Sequence, residues 1–145
     1  MSYIETKSDA SVTRRQGVAA GYYVSRVSDK RDNVEILEKG YEVPTHLDWL
    51  ETRDSVEQVE FFALLVALES AREYVEDEER IVLKTDSRHV VQYLNDGKSI
   101  CGRLDARWDR LSDGLEVEVK KTPRELNHVA DSLAKRGRNE SSELD

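Results

Sequence analysis

The chain is nearly without cysteine: Cys101 stands alone among 145 residues. A single thiol forms no internal disulfide and supplies no metal-ligand cluster, which excludes a disulfide-stapled fold and agrees with a reducing compartment. Also missing is any stretch near the roughly 18 apolar residues of a membrane span, so no membrane partner is expected. Met1 to Arg15 lacks the continuous apolar run of a secretory signal, and a cytoplasmic location is the expectation. Positive charge is scarce, with 22 Lys and Arg against 30 Asp and Glu and a net charge of −8. That balance ordinarily argues against a nucleic-acid partner. It does not exclude one, because carboxylates that bind divalent cations count as negative in the sum yet present a neutral or positive site once loaded. Arginine outnumbers lysine 14 to 8, and acidity with few lysines suits a salt-rich cytoplasm. Internal repeats and low-complexity blocks are absent too.

What is there fits one domain, residues 1–137, followed by a disordered tail, 138–145, since Gly137 is placed to end the last helix. Tyr3, Glu5 and Lys7 alternate with Ile4 and Thr6, predicting a first strand over Met1 to Lys7 that stops at the turn-prone Ser8-Asp9-Ala10-Ser11. Gly17 to Val27 and Val34 to Val43 read as a hairpin of two antiparallel strands. Pro44 to Asp54 is left unassigned. Ser55 is a candidate N-cap for a helix over Val56 to Val75. Arg80 to Thr85 reads as a strand feeding a helix after a short link, the opening of a parallel βα unit. Leu104, Trp108 and Leu111 mark another helix, whose Arg103, Arg107 and Arg110 could meet phosphates or pair with neighbouring acids. Leu115 to Val119 alternates as a fifth strand. A basic loop, Lys120 to Arg124, leads to a last helix, about Glu125 to Arg136, with Leu126, Val129 and Leu133 inward. The order β-β-β-α-β-α-α-β-α predicts an α/β fold: a five-stranded mixed sheet flanked by helices on both faces.

Four acids stand at transitions in this order. At about 100° per residue Glu60 falls on the stripe of Val56, Ala63, Leu64, Ala67, Ala71 and Tyr74, where an unpaired carboxylate costs several kcal/mol unless a cation compensates; the plainer alternative is a half-exposed first-turn Glu stabilised by the helix dipole. Asp86 ends a strand that precedes a helix, where it serves either as N-cap or in a site beyond the strand ends. Asp9 follows the first strand. Asp131 lies in the last helix, sharing a stripe with Asn127 and Lys135.

The motifs around these acids are Asp9-Ala10-Ser11, Glu60-Phe61-Phe62-Ala63-Leu64, Thr85-Asp86-Ser87 and Asn127-His128-Val129-Ala130-Asp131. Together, in this order, they resemble ribonuclease H of type 1, in its compact form without the additional basic helix, across nearly the whole chain. The resemblance implies an RNase H-like fold and an endonuclease that hydrolyses the RNA strand of RNA–DNA hybrids; a monomer is expected because no long exposed apolar stripe in the sequence suggests an interface. It implies two divalent ions, Mg²⁺ or Mn²⁺, with Asp9 bridging both, Glu60 and Asp86 holding one and Asp131 the other; four acids and no His or Cys cluster suit such hard ions. Arg124 resembles a residue before the last helix that assists turnover. Ser11, Gln58, Ser87 and Asn127 would meet the nucleic acid, which the family recognises through 2′-hydroxyls in the minor groove.

The chain departs from the family where Ala10 replaces a frequent Gly, and where Ser55-Val56-Glu57-Gln58 replaces a Thr-Asn-Asn stretch. The second departure supports one alternative, an accessory nucleic-acid-binding domain of the same fold with weak or lost hybrid cleavage; a same-fold nuclease acting on another nucleic acid is the other, since fold does not fix substrate.

Overall fold

The computed structural model describes residues 1–13, 17–28, 33–44, 56–98 and 102–143. Ser55, Cys101 and, apart from Pro44, the unassigned stretch before Ser55 lie outside them. Five strands and four helices follow one another as β1 (Ser2–Thr13), β2 (Gly17–Ser28), β3 (Asn33–Glu42), α1 (Val56–Arg72), β4 (Ile81–Thr85), α2 (Arg88–Asn95), α3 (Gly102–Ser112), β5 (Val117–Lys121) and α4 (His128–Glu143), with a 3₁₀ turn at Arg124–Leu126 before α4. The sheet order is β3-β2-β1-β4-β5. β1, β2 and β3 pair antiparallel, while β4 joins β1, and β5 joins β4, in parallel. Short links make the meander and helical crossovers make the parallel pairs.

Helices cover both faces, as the alternation of side chains along a strand requires. Ile4 of β1 and Ala20 and Val24 of β2 join the core under α1, with Phe61, Leu64, Leu65 and Leu68. The opposite parity of β2 meets α4. A Cβ on Gly21 would lie 2.1 Å from the Ala130 carbonyl oxygen and 2.5 Å from the Ala134 nitrogen, so β2 and α4 touch backbone to backbone. On the other side α3 closes over α1, where the Phe61 and Trp108 rings sit 6.4 Å apart. Far from the strand ends that matter below, Arg26 holds the buried Glu79 carboxylate at 3.0 Å and donates to the Tyr74 carbonyl at 2.7 Å.

Several sequence expectations change. β1 does not stop at Lys7: it pairs with β2 from Ser2↔Ser28 to Thr13↔Gly17, and only its pairing with β4 ends, at Ser8↔Thr85. The apparent turn is thus an interior stretch that has lost one neighbour. β5 lies two residues later than its alternation indicates, because β4 sets its register at Ile81↔Val117 through Thr85↔Lys121; Lys120 and Lys121 are strand rather than loop. α1 is buried nearly all round from Gln58 to Leu68, whereas Val56, expected on its inner stripe, is exposed. Of the expected inward residues, Leu126, in the turn before α4, and Val129 are 58% and 37% exposed and Leu133 is half-buried, while Ala130 and Ala134 face the sheet. The close crossing at Gly21 admits only small side chains. Nor does Gly137 end α4, which continues to Glu143; a Cβ there would lie 2.6 Å from the Tyr41 ring, so this glycine serves packing instead.

Candidate active site

β1 and β4 run side by side up to Ser8 and Thr85, and the next residue on each is an aspartate. Asp9 shares the parity of Ser11, which accepts a hydrogen bond from Arg138 of α4 at 2.8 Å, so it lies on the α4 side of the sheet. Glu60 comes from α1 on the other side. Where the ladder between β1 and β4 ends, the two sides meet. One carboxylate oxygen each from Asp9, Glu60 and Asp86 lie within 4.8 Å of one another. Asp131 joins from α4 through a hydrogen bond with Asp9 and is itself paired to Lys135 at 3.1 Å.

Asp86 is free for this role because Ser87 takes the cap position. The Ser87 hydroxyl accepts from the Val90 N–H at 3.4 Å, capping α2. Glu60 is on the inner side, as its stripe indicates, and only 8% exposed. α4 is held in place by Asn127, 1% exposed, whose side-chain N–H donates to the Ser8 carbonyl at 2.9 Å and whose own carbonyl accepts from Asp131 N–H at 3.1 Å.

Burial and mutual repulsion govern the charges. Desolvation first, then the hydrogen bond with Asp131 and the field of Asp86, push Asp9 up to about 7. Glu60 goes up to about 10, again through desolvation first and then the charges of Asp9 and Asp86. Asp86 is raised by burial, against the opposing pull of Arg124, whose Nε stands 3.8 Å from Oδ2. Burial pushes Asp131 up as well, but its hydrogen bonds with Asp9 and Lys135 outweigh that and hold it below the usual carboxylate range. Without a cation the cluster therefore holds protons that exposed carboxylates would have lost at neutral pH.

These residues fit divalent cations. Glu60 Oε2 is buried and has no hydrogen-bond partner among the described residues, a condition that costs stability unless another group satisfies it. The donors are all carboxylate oxygens, the choice of Mg²⁺ and Mn²⁺ rather than of softer ions.

A cleft of about 410 Å³ opens beside the cluster, running from Glu57 and Glu60 past Ser87 and Arg88 to Lys121 and Arg124. Of the four residues expected to meet nucleic acid, Ser87 lines it. Ser11, Gln58 and Asn127 are buried and turned into the protein. Arg107, a candidate for phosphate, pairs with Glu69 and stacks over Phe62. The sequence reading missed Arg88, His89, Lys121 and Thr122 as cleft residues. Arg88 and His89 follow Ser87 directly, which was a usable signal; Lys121 and Thr122 depend on the register of β5, which has no local signature.

A five-stranded β3-β2-β1-β4-β5 sheet with carboxylates gathered where β1 and β4 part defines an RNase H-like fold, and solved structures share it. RNase H1 from the halophilic archaeon Halobacterium salinarum NRC-1 is 24% identical, with a TM-score of 0.74 over 95% of this chain and 98% of that one. The N-terminal RNase H domain of rv2228c from Mycobacterium tuberculosis, solved as a fusion with maltose binding protein, is 16% identical, with a TM-score of 0.73 over 99% of each chain. LC11-RNase H1, solved in complex with an RNA/DNA hybrid, is 18% identical, with a TM-score of 0.69 over 95% of this chain and 98% of that one. No curated protein sequence gives a significant match. Residues 42–137 match the family described as reverse transcriptase-like, and the chain belongs to that family.

Proposed function

We propose that this protein is a metal-dependent ribonuclease H that hydrolyses the RNA strand of RNA–DNA hybrids. The observation that carries the reading is the buried Glu60 carboxylate, one oxygen unpartnered among the described residues, within 4.8 Å of Asp9 and Asp86. A protein gains nothing in stability from three carboxylates so placed; a cation-dependent reaction gives them a purpose. The hybrid bound by LC11-RNase H1, which shares the fold, supports the choice of substrate.

Asp9, Glu60, Asp86 and Asp131 would hold two Mg²⁺ or Mn²⁺ ions, Glu60 and Asp86 serving on one side of Asp9 and Asp131 on the other. Such ions supply charge stabilisation and water activation to phosphodiester hydrolysis. The chain's own groups do the rest. Lys135 keeps Asp131 charged and fixes its rotamer. Asn127 holds the α4 end against β1, so that Asp131 stays beside Asp9. Arg124, 92% exposed and tethered only loosely to Asp86, is placed to take a phosphate oxygen and release it after cleavage. We further propose a monomeric cytoplasmic protein; among the described residues no helix is long and apolar enough to cross a membrane.

A second reading rests on the start of α1, where Gln58 is buried and Glu57 brings negative charge into the cleft. These favour an accessory nucleic-acid-binding domain or a nuclease for another substrate. The test is cleavage of a labelled RNA–DNA hybrid with Mg²⁺ or Mn²⁺, at low and high salt, beside Asp86→Asn. RNA-strand cuts that vanish in the variant establish the first reading; a folded wild-type protein that cuts in no condition overturns it, and preferential cutting of duplex DNA moves the substrate.

A further inference from the structure

Among the described residues, the cations Arg26, Arg80, Lys84, Arg107 and Lys135 are committed to neighbouring carboxylates. Two on the cleft are not. Arg88, the first residue of α2, and Lys121, the last of β5, have no ion-pair partner among the described residues, and both are exposed. They reach the cleft from different elements, which meet because α2 packs against β5. Arg124, on the same β5 side, adds a third cation. The acid on this rim outside the carboxylate cluster is Glu57, which sits 3.9 Å from His89 Nε2.

The geometry points to this strip as the seat of a phosphodiester strand, with Arg88 and Lys121 each taking a phosphate next to the one that lies at Asp9, Glu60 and Asp86. This rests on reading the carboxylate cluster as a nuclease site and adds the path of the strand: along the α2–β5 side of the cluster, away from α4. Exposed cations that have no ion pair among the described residues and line a cleft beside carboxylates suit a ligand with repeated negative charge. A single small anion would need an enclosed, satisfied pocket instead. The net charge of −8 does not oppose such binding, because screening over about 8 Å at physiological salt leaves the local sign in control.

The experiment is fluorescence anisotropy of a labelled RNA–DNA hybrid in Ca²⁺, titrated from about 50 to 200 mM salt, for the wild type, the double variant Arg88→Gln/Lys121→Gln and the control Lys39→Gln/Lys98→Gln. The control removes the same charge from β3 and from the turn after α2, outside the cleft. Each lost phosphate contact lowers the slope of log affinity against log salt by about 0.9. The cleft variant is therefore expected to lose between one and two units of slope and roughly tenfold or more in affinity, with Tm unchanged. In Mg²⁺ its KM rises by a larger factor than its kcat falls. A cleft variant that matches the control overturns the proposal. Hybrid binding with the expected loss of slope but no cleavage by the wild type leaves the strand path standing and removes the nuclease reading, so the two fail separately.

Discussion

Replacing Glu60 with Gln should stabilise the protein in the absence of divalent ions, and the gain should grow with pH. Glu60 and Asp9 ionise less readily in the folded state than in the unfolded chain, at about 10 and about 7. Folded protein thus binds more protons than unfolded protein from roughly pH 4 upward, and stability must fall as pH rises through that window. The two acids are hydrogen-bonded and titrate as a unit. One proton of difference corresponds to about 1.4 kcal/mol per pH unit, or roughly 3 kcal/mol between pH 5 and pH 7. At about 2–4 °C per kcal/mol for a chain of this size, the wild type in EDTA should lose roughly 6 to 12 °C of Tm over that interval. Glu60→Gln removes the more strongly shifted of the two acids, leaves Asp9, and should lose roughly half as much. Mg²⁺ or Mn²⁺ should raise the wild-type Tm at pH 7 and leave that of the variant almost unmoved, because binding to the folded state alone stabilises it. Melts by circular dichroism at the two pH values, with EDTA and with metal, read all of this. Parallel pH profiles for the two proteins in EDTA would refute the account of Glu60 as a buried, cation-requiring carboxylate.

Other predictions follow from contacts at and away from the site. Arg26→Ala leaves Glu79, whose side chain is 6% exposed, without its partner at 3.0 Å, and should cost about 3 kcal/mol in urea unfolding at pH 7. Burial raises Glu79, yet the bond to Arg26 holds it below its ordinary value; the deficit should therefore shrink as pH falls through the carboxylate range and the charge is lost. Gly21→Ala puts a methyl group 2.1 Å from a backbone oxygen of α4, and should cost roughly 3 kcal/mol; by moving Asp131 from Asp9 it should also weaken Mn²⁺ binding measured by calorimetry. Asn127→Asp replaces the donor to the Ser8 carbonyl with a buried acid, and should cost roughly 2–4 kcal/mol at pH 8 and less at pH 5, read by denaturant titration.

The element order and the four acids were legible because both rest on local pattern. Alternation marks Val34 to Val43, helical periodicity marks α1, and a carboxylate on an apolar stripe stands out where Glu60 sits. What was misread depends on partners distant in sequence. The register of β5 comes from β4, so the alternation of Leu115 to Val119 misplaced it by two residues. The inner face of α4 was assigned to Leu126 and Val129 because bulk usually marks the core, yet a helix crossing β2 at Gly21 must present Ala130 and Ala134. Motif position marks Ser11 and Asn127 without showing that the Asn127 side chain donates to the Ser8 carbonyl or that Ser11 accepts from Arg138.

The carboxylate cluster and the shape of the sheet have one cause. Ser8 pairs with Thr85, and continuing that register by one step would set Asp9 beside Asp86, two like charges on adjacent strands. Like charges across a ladder disfavour pairing, and the parallel ladder ends at this step while β1 continues against β2 to Thr13. The parting of β1 from β4 lets Glu60 approach from the α1 side and Asp131 from the α4 side, around strands that would otherwise separate them. An isolated strand-end aspartate is commonly a helix cap; here Ser87 fills that position, and Asp86 is left to face Asp9 with no structural task of its own. Two aspartates one residue beyond a shared register, with the cap supplied by the next residue, are thus a stronger sign of a cation site than either acid alone.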